Sequence, residues 1–201
     1  MSQISRLSEA RFDDPPAEPW GWLQDWLQQA AQAGQIEPTA MNLATADTSG
    51  RISNRVVLFK GFDHNRCCFY SNYTSRKAGQ LEQQSAAALC FWWDRLDRQI
   101  RLEGVVQKLP AAQSDDYFAS RPRGSQIGAW ASAQSQPIAN RNDLQQRFAD
   151  AEARFADQAV PRPPHWGGYA LRPDFIEFWQ GQRNRFHDRM TFRLDGGAWR
   201  I

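Results

Sequence analysis

TAMNLATADTSGRISNRVVLFKGFDHNRCCFYSN, residues 39–72, decides the fold. TAMNLATA (39–46) alternates apolar and small polar residues, and ISNRVVLFK (52–60) and CCFYSN (67–72) are rich in β-branched and aromatic residues. Such runs, bounded by turn residues, read as strands. The connections between them are DTSGR, with Gly50 free to take a positive φ, and GFDHNR. Parallel strands need a long crossover, and these linkers are far too short for one. The stretch predicts an antiparallel meander.

Working outward, EPWGWLQDWLQQAAQAG places Trp22, Leu23, Trp26 and Leu27 on one helical face, with Gly34 available to end the helix. SRKAGQLEQQ reads as a short helix capped by Thr74 or Ser75. AAALCFWWD and RQIRLEGVVQKL read as two long strands joined tightly at 95–97, and SDDYFAS as a short helix. NRNDLQQRFADAEARFA carries Leu144, Phe148, Ala151 and Phe155 on one amphipathic face. GYALRPDFIEFWQG and HDRMTFRL read as strands, and DGGAWRI starts a closing hairpin. The fold class is α+β, an antiparallel barrel with peripheral helices. No G-x-G-x-x-G follows a strand, so a Rossmann site has no support.

The chain has 201 residues, 41% of them apolar, which suits one domain over residues 19–201. Residues 1–18 read as a polar, flexible arm without a signal peptide's apolar stretch. With no run of membrane-spanning length, the expectation is a soluble cytoplasmic protein. A net charge of +2 does not point to nucleic acid. Cys67, Cys68 and Cys90 make no C-x-x-C, and His64, His165 and His187 lack metal-ligand spacing, so neither disulfides nor a metal is expected.

Four stretches carry the residue types that hold phosphate. RVVLFK has Arg55 and Lys60 bracketing an apolar strand; SNYTSRK gathers Ser71, Thr74, Ser75, Arg76 and Lys77 at a helix N-terminus. YFASRPRGSQIGAW spaces Tyr117, Arg121 and Ser125 four apart, with Pro122 disfavouring helix at Arg121. In RNRFHDR, Arg183, Arg185, His187 and Arg189 fall at every second position, which in an extended strand puts them on one face. Gln99, Gln134 and Ser135 are polar groups able to orient a planar ligand. Taken singly, each stretch also reads as a strand end, a plain cap, a surface turn or a solvated face. Only three of the 24 basic residues are lysines, and two of them, Lys60 and Lys77, fall inside these stretches. Together they suggest two phosphorylated planar ligands, which composition does not name.

The series PTAMNLATA, RVVLFK, FYSNYTSRK, RQIRLEG, YFASRPRGSQIGAWAS and EFWQG through RFHDR resembles the pyridoxamine/pyridoxine 5′-phosphate oxidase family, from about Glu37 to Ile201. The resemblance implies an FMN-binding split β-barrel working as a homodimer, with each site built from both subunits. It implies FMN contacts from Arg55, Val56, Val57, Leu58, Phe59, Lys60, Tyr70, Ser71, Arg76, Lys77 and Gln99, and from the partner's copies of Gln134, Ser135, Trp179 and Arg189. Lys60, Tyr117, Arg121 and Ser125 would hold the substrate phosphate. Arg185 and His187, with Phe186 between them, would cover the pyridine ring as the catalytic pair. The implied reaction oxidises C4′ of pyridoxamine or pyridoxine 5′-phosphate by hydride transfer to the flavin, which returns the electrons to O₂ as hydrogen peroxide. A relative oxidising phenazine rings is the nearest rival, and the Tyr117, Arg121 and Ser125 set speaks against it. The sequence departs from the family pattern in two places. SRLSEARFDDPP stands where the family often has an Arg-Arg-Glu-Tyr-like segment, and Trp199-Arg200-Ile201 where it runs on into Arg-Leu-x-Pro.

Overall fold

A computed structural model describes residues 12–201. Helix α1 (Trp20–Gln32) precedes strands β1 (Ala40–Ala46), β2 (Ile52–Leu58) and β3 (Cys67–Asn72). Helix α2 (Arg76–Gln83) leads into the long hairpin of β4 (Ala86–Trp93) and β5 (Arg98–Lys108). Helices α3 (Ala111–Ser120), α4 (Arg123–Ala131) and α5 (Arg141–Arg154) follow. The chain closes with β6 (Trp166–Gln180), β7 (Asp188–Asp195) and β8 (Ala198–Arg200). Every strand pairing is antiparallel. The pairing order is β2-β1-β4-β5-β6-β7-β8, with β3 attached to β6, and among the described residues this path does not close. The α+β, antiparallel expectation holds.

The meander expected over 39–72 stops at β2. β1 and β2 pair along their whole length, but β3 pairs with β6, from Cys67 opposite Leu171 to Asn72 opposite Trp166. Gly61, at φ 101°, turns the chain away from β2. Only two bonds then link this corner to β3: Lys60 N–H to the Cys68 carbonyl (2.8 Å) and Cys68 N–H to the Gly61 carbonyl (3.0 Å). CCFYSN is buried at five of its six positions, as a strand covered on both faces should be.

The alternating RNRFHDR segment is not a strand over its first half. Arg183–Arg185 forms a single 3₁₀ turn, with Asn184 and Arg185 at φ 58° and 63°, and β7 begins only at Asp188. Arg183, Arg185, His187 and Arg189 therefore do not share one strand face. The β6–β7 reversal needs left-handed backbone, which Asn tolerates better than most residues.

Helix α4 was not foreseen. Pro122 does break the helix, leaving Arg121 extended at φ −73°, ψ 148°, and a new helix starts at once. The apolar face of α1 packs on the inner face of the sheet: Trp22 and Trp26 meet Phe178 edge-on at 5.5 and 5.2 Å. Trp93, Phe91, Ile100 and Phe192 complete that core without solvent exposure. Truncating any one of these aromatics costs about 3–5 kcal/mol. A second, smaller core of Phe118, Ile127, Phe155, Val160 and Trp166 fastens α3, α4 and α5 to the start of β6. Of the arm expected at 1–18, the part before Phe12 lies outside the described residues, and Phe12 packs edge-on against Trp22 and Trp26.

Candidate functional site

Between β2, the end of β3, the first turn of α2 and the α3–α4 corner lies a cavity of about 740 Å³. Arg55, Val56, Val57, Leu58 and Lys60 line one side. Tyr70, Ser71 and Lys77 form the floor, and Tyr117, Arg121 and Ser125 the far end. Gln134 and Trp166 complete the wall. Four of these residues are cationic and none is a carboxylate.

The cations are held by neutral groups. Lys77 is buried, and its Nζ donates to Ser71 Oγ (3.0 Å), Ser75 Oγ (3.1 Å) and Gln134 Oε1 (2.7 Å). Burial, with Arg55 nearby, lowers its pKa to about 8. Ser75 caps α2 but spends its hydroxyl on the Asn72 carbonyl (2.8 Å), so the first turn keeps its free N–H groups. Arg55 donates to the Leu43 carbonyl (2.9 Å) and Thr45 Oγ1 (2.7 Å). Burial and then Arg76 lower its pKa too. A cationic group facing only neutral oxygens and other cations is stabilised by an anion, and several together by a polyanion.

At the far end, three rings stack. Tyr70 and Tyr117 lie 3.8 Å apart at 16°, and Tyr70 and Trp166 5.4 Å apart at 12°. The Arg121 guanidinium sits 4.5 Å over the Trp166 ring. Its Nη1 is buried without a hydrogen-bond partner, and burial depresses its pKa. Stacking on an indole leaves the guanidinium N–H fork free in its own plane, the geometry that suits a phosphate. Trp166 was not singled out from the sequence. Gly167 and Gly168 beside it offered a signal, since a Cβ on Gly168 would lie 2.8 Å from the Tyr70 ring.

The remaining expected site residues lie elsewhere on the chain. Phe59 turns into the core against Phe62 and Phe91. Arg76 opens on a separate depression with Asp47, Ser49 and Gln80. Ser135 sits in a turn at φ 66°, outside the cavity lining. Gln134, which the family resemblance gives to a partner subunit, reaches Lys77 and Ser71 of its own chain.

Gln99, Trp179 and Arg189 form one row across β5, β6 and β7, continued onto β4 by Trp92. The His187 ring lies 4.7 Å from Trp179, at the end of this row. Its Nδ1 accepts from the Gln182 backbone N–H (3.1 Å), which leaves Nε2 to carry the proton of the neutral ring. Arg185 and Phe186 occupy the exposed turn beyond it. Trp92 and Val56, 45% and 61% exposed, lie on this same sheet face, one at the row and one at the cavity wall. A single chain thus carries two separate features: a cationic, ring-lined cavity and a Trp/His/Arg row on an open, partly apolar face.

Fold and site define a class, an antiparallel split-barrel protein with a polyanion-type cleft beside an exposed sheet face. A sequence profile described as pyridoxamine 5′-phosphate oxidase matches residues 27–155. A second, described as the pyridoxine 5′-phosphate oxidase C-terminal dimerisation region, matches residues 166–201. The chain belongs to the pyridoxine/pyridoxamine 5′-phosphate oxidase family. It is 49% identical over 194 residues to the protein of that name from Rubrobacter xylanophilus, covering 96% of this chain and 88% of that one. It is 48% identical to the one from Cyanothece sp., covering 97% and 90%. Among solved structures, PhzG from Burkholderia lata 383, in complex with tetrahydrophenazine-1-carboxylic acid, superposes with a TM-score of 0.91 at 34% identity, over 96% of this chain and 95% of that one. A pyridoxamine 5′-phosphate oxidase-related FMN-binding protein from Nostoc punctiforme shares the fold, with a TM-score of 0.75 at 16% identity, over 93% and 97%. No helix among the described residues is long and apolar enough to cross a membrane.

Proposed function

We propose that this protein is an FMN-dependent oxidase that converts pyridoxamine 5′-phosphate and pyridoxine 5′-phosphate to pyridoxal 5′-phosphate, with O₂ as acceptor. Hydrogen peroxide is the second product, and the amine also releases ammonia. The observation that carries this reading is the carboxylate-free cavity, where Arg55, Lys60, Lys77 and Arg121 converge with stacked aromatic rings. Such a set fits two phosphate esters on flat rings. Family membership, with relatives near half identity bearing the oxidase name, supports the same substrates.

Bound FMN supplies the two-electron acceptor. Everything else falls to side chains of the chain itself. Lys77, Ser71 and Gln134 take the flavin end of the cavity, with Arg55 behind them. Lys60, Tyr117, Arg121 and Ser125 anchor the substrate phosphate, and this anchoring makes the reaction effectively intramolecular. The Trp179, Arg185, His187 and Arg189 group comes from a second copy docked on the open sheet face, a homodimer that the dimerisation-region match supports. From there Arg185 and the His187 Nε2–H orient the pyridine ring. The cations around the site stabilise negative charge that builds as electrons leave the substrate.

The second reading, a phenazine-type ring oxidase, is favoured by the superposition on PhzG. Identity of 34% there against 49% for the first oxidase relative weighs the other way. Peroxide release by the FMN-loaded protein separates the readings. Turnover of pyridoxamine 5′-phosphate with none of the dephosphorylated amine is the expected result. Equal turnover of both amines would make the phosphate anchor irrelevant and defeat the proposal.

Lys77 gives the cavity a pH signature. In the unfolded chain it keeps its proton up to about 10.5, and in the folded protein without ligand only up to about 8. Between those values the unfolded state binds more protons, so stability of the ligand-free protein rises with pH across that window. Ligand affinity runs the opposite way. Above about 8 an anion must first recruit the proton that Lys77 has lost. FMN affinity should therefore fall as pH rises, by up to about tenfold per unit. Quenching of FMN fluorescence between pH 7 and about pH 10 measures it. Lys77→Met should bind more weakly at pH 7 and lose the slope; an unchanged slope would remove Lys77 from the flavin end.

A further inference from the structure

Gln126 lies outside the cavity lining yet ties together the two helices that build its substrate end. It is buried, at 9% exposure, at the end of the first turn of α4. Its side-chain amide donates to the Phe118 carbonyl (2.9 Å) and the Ala119 carbonyl (3.2 Å). Both belong to the last turn of α3, where a helix leaves its carbonyls without intrahelical donors. The Gln126 backbone N–H bonds the Pro122 carbonyl (3.1 Å) and so helps close the first turn of α4. Between the helices the link is Arg121 and Pro122, both extended. Pro122 has no N–H to offer. The Arg121 N–H to the Phe118 carbonyl (3.2 Å) only closes the end of α3, so the Gln126 side chain is what joins α4 back to that end. Tyr117 on α3, Arg121 in the link and Ser125 on α4 converge on one cavity only at the angle this corner holds.

We infer that Gln126 is a positioning residue for the grip on the substrate phosphate, setting the α3–α4 angle without touching the substrate. The inference rests on the reading that Tyr117, Arg121 and Ser125 take that phosphate. The chemistry calls for an amide. Two carbonyls need two N–H donors on one short arm, which Gln supplies, whereas Met supplies none and an ionised Glu turns acceptors toward acceptors. A small displacement of a phosphate donor is felt strongly, because charge-assisted hydrogen bonds depend on alignment.

The test uses the FMN-loaded wild type with Gln126→Met, Gln126→Glu and Arg121→Ala. The readouts are KM and kcat for pyridoxamine 5′-phosphate, the inhibition constant of inorganic phosphate, FMN content and the thermal midpoint. In Gln126→Met, KM and the phosphate inhibition constant should rise together by about tenfold, while kcat and FMN content hold. Gln126→Glu should do the same at neutral pH, and it is the variant to measure if the methionine protein does not fold. Arg121→Ala should show a larger rise in both constants. If Arg121→Ala weakens phosphate and neither Gln126 variant does, the positioning role is wrong and the phosphate site stands. If the Gln126 variants lose kcat, FMN and thermal midpoint together, the residue is merely structural and the inference fails. If Arg121→Ala leaves phosphate inhibition unchanged, the phosphate site itself is wrong and the inference falls with it.

Discussion

Arg121→Ala is expected to raise KM for pyridoxamine 5′-phosphate about a hundredfold, with kcat changed far less, because a charge-assisted phosphate contact is worth ~2–3 kcal/mol. The guanidinium sits over Trp166 with Nη1 buried and unpartnered, so it is already in place before an anion arrives. Little ordering is left to do on binding, and most of the contact energy reaches the substrate. The same geometry makes the residue a burden to the ligand-free fold, since a half-buried cation without a counter-charge loses hydration that nothing replaces. Alanine should therefore leave the thermal midpoint level or raised while substrate affinity collapses. Steady-state kinetics and a melting curve on one preparation check both halves. Arg121→Lys should not rescue, because an ammonium lacks the flat fork that stacks on Trp166.

Assayed at substrate well below the wild-type KM, where a roughly hundredfold rise in KM leaves about one per cent of the rate, a mixture of two crippled variants should recover activity. On the proposed reading, Arg121→Ala cripples the phosphate grip of the cavity and Arg185→Leu the group on the β6–β7 turn. If each catalytic site takes the cavity from one subunit and the Arg185/His187 group from the other, a mixed dimer holds one intact site and one doubly damaged site. Random reassociation makes half of all dimers mixed, so the mixture should reach about a quarter of wild-type activity from near zero. Arg185→Leu alone should keep its FMN, since Arg185 lies outside the cavity that holds Lys77 and Ser71. Activity that stays near zero after unfolding and co-refolding the two variants would mean that both groups serve the same chain's site. Val56 and Trp92 on the open sheet face are the apolar contacts that a second copy would cover.

Much of the fold was legible because its signals are local. The DTSGR turn, with Gly50 at φ 81°, and the alternation on either side of it suffice for β1 and β2. The partner of β3 was not legible. CCFYSN carries no periodicity that says which edge it joins, and its pairing with β6 spans about a hundred residues of chain. The turn at Gly61 gives only a departure direction. RNRFHDR misled for a different reason: alternate charge reads as a strand, but the left-handed backbone at Asn184 and Arg185 belongs to a reversal. Helix α4 hid behind two glycines and the Pro122 break, although Pro just ahead of a helix is itself a start signal.

For the candidate site, the basic residues were visible and their grouping was not. Arg55, Lys60, Lys77, Tyr117, Arg121 and Ser125 come together in one cavity, while Phe59 and Arg76 from the same short motifs face other ways. The strand period explains Phe59: Arg55 and Val57 share its face, but the chain bends at Gly61 and commits that end to the core. Trp166 joins the cavity wall beneath Arg121, and Gln126 bonds the end of α3, contacts that exist only once the chain has folded.

The most direct test of the central claim is the visible spectrum of the purified protein under anaerobic conditions, before and after adding pyridoxamine 5′-phosphate. The cationic cavity and its stacked rings predict a yellow, FMN-containing protein that bleaches on adding substrate and recolours when air is admitted, with peroxide and pyridoxal 5′-phosphate formed in step. A protein that holds FMN and stays yellow with the substrate bound would contradict the account, as would one that takes up neither phosphate ester.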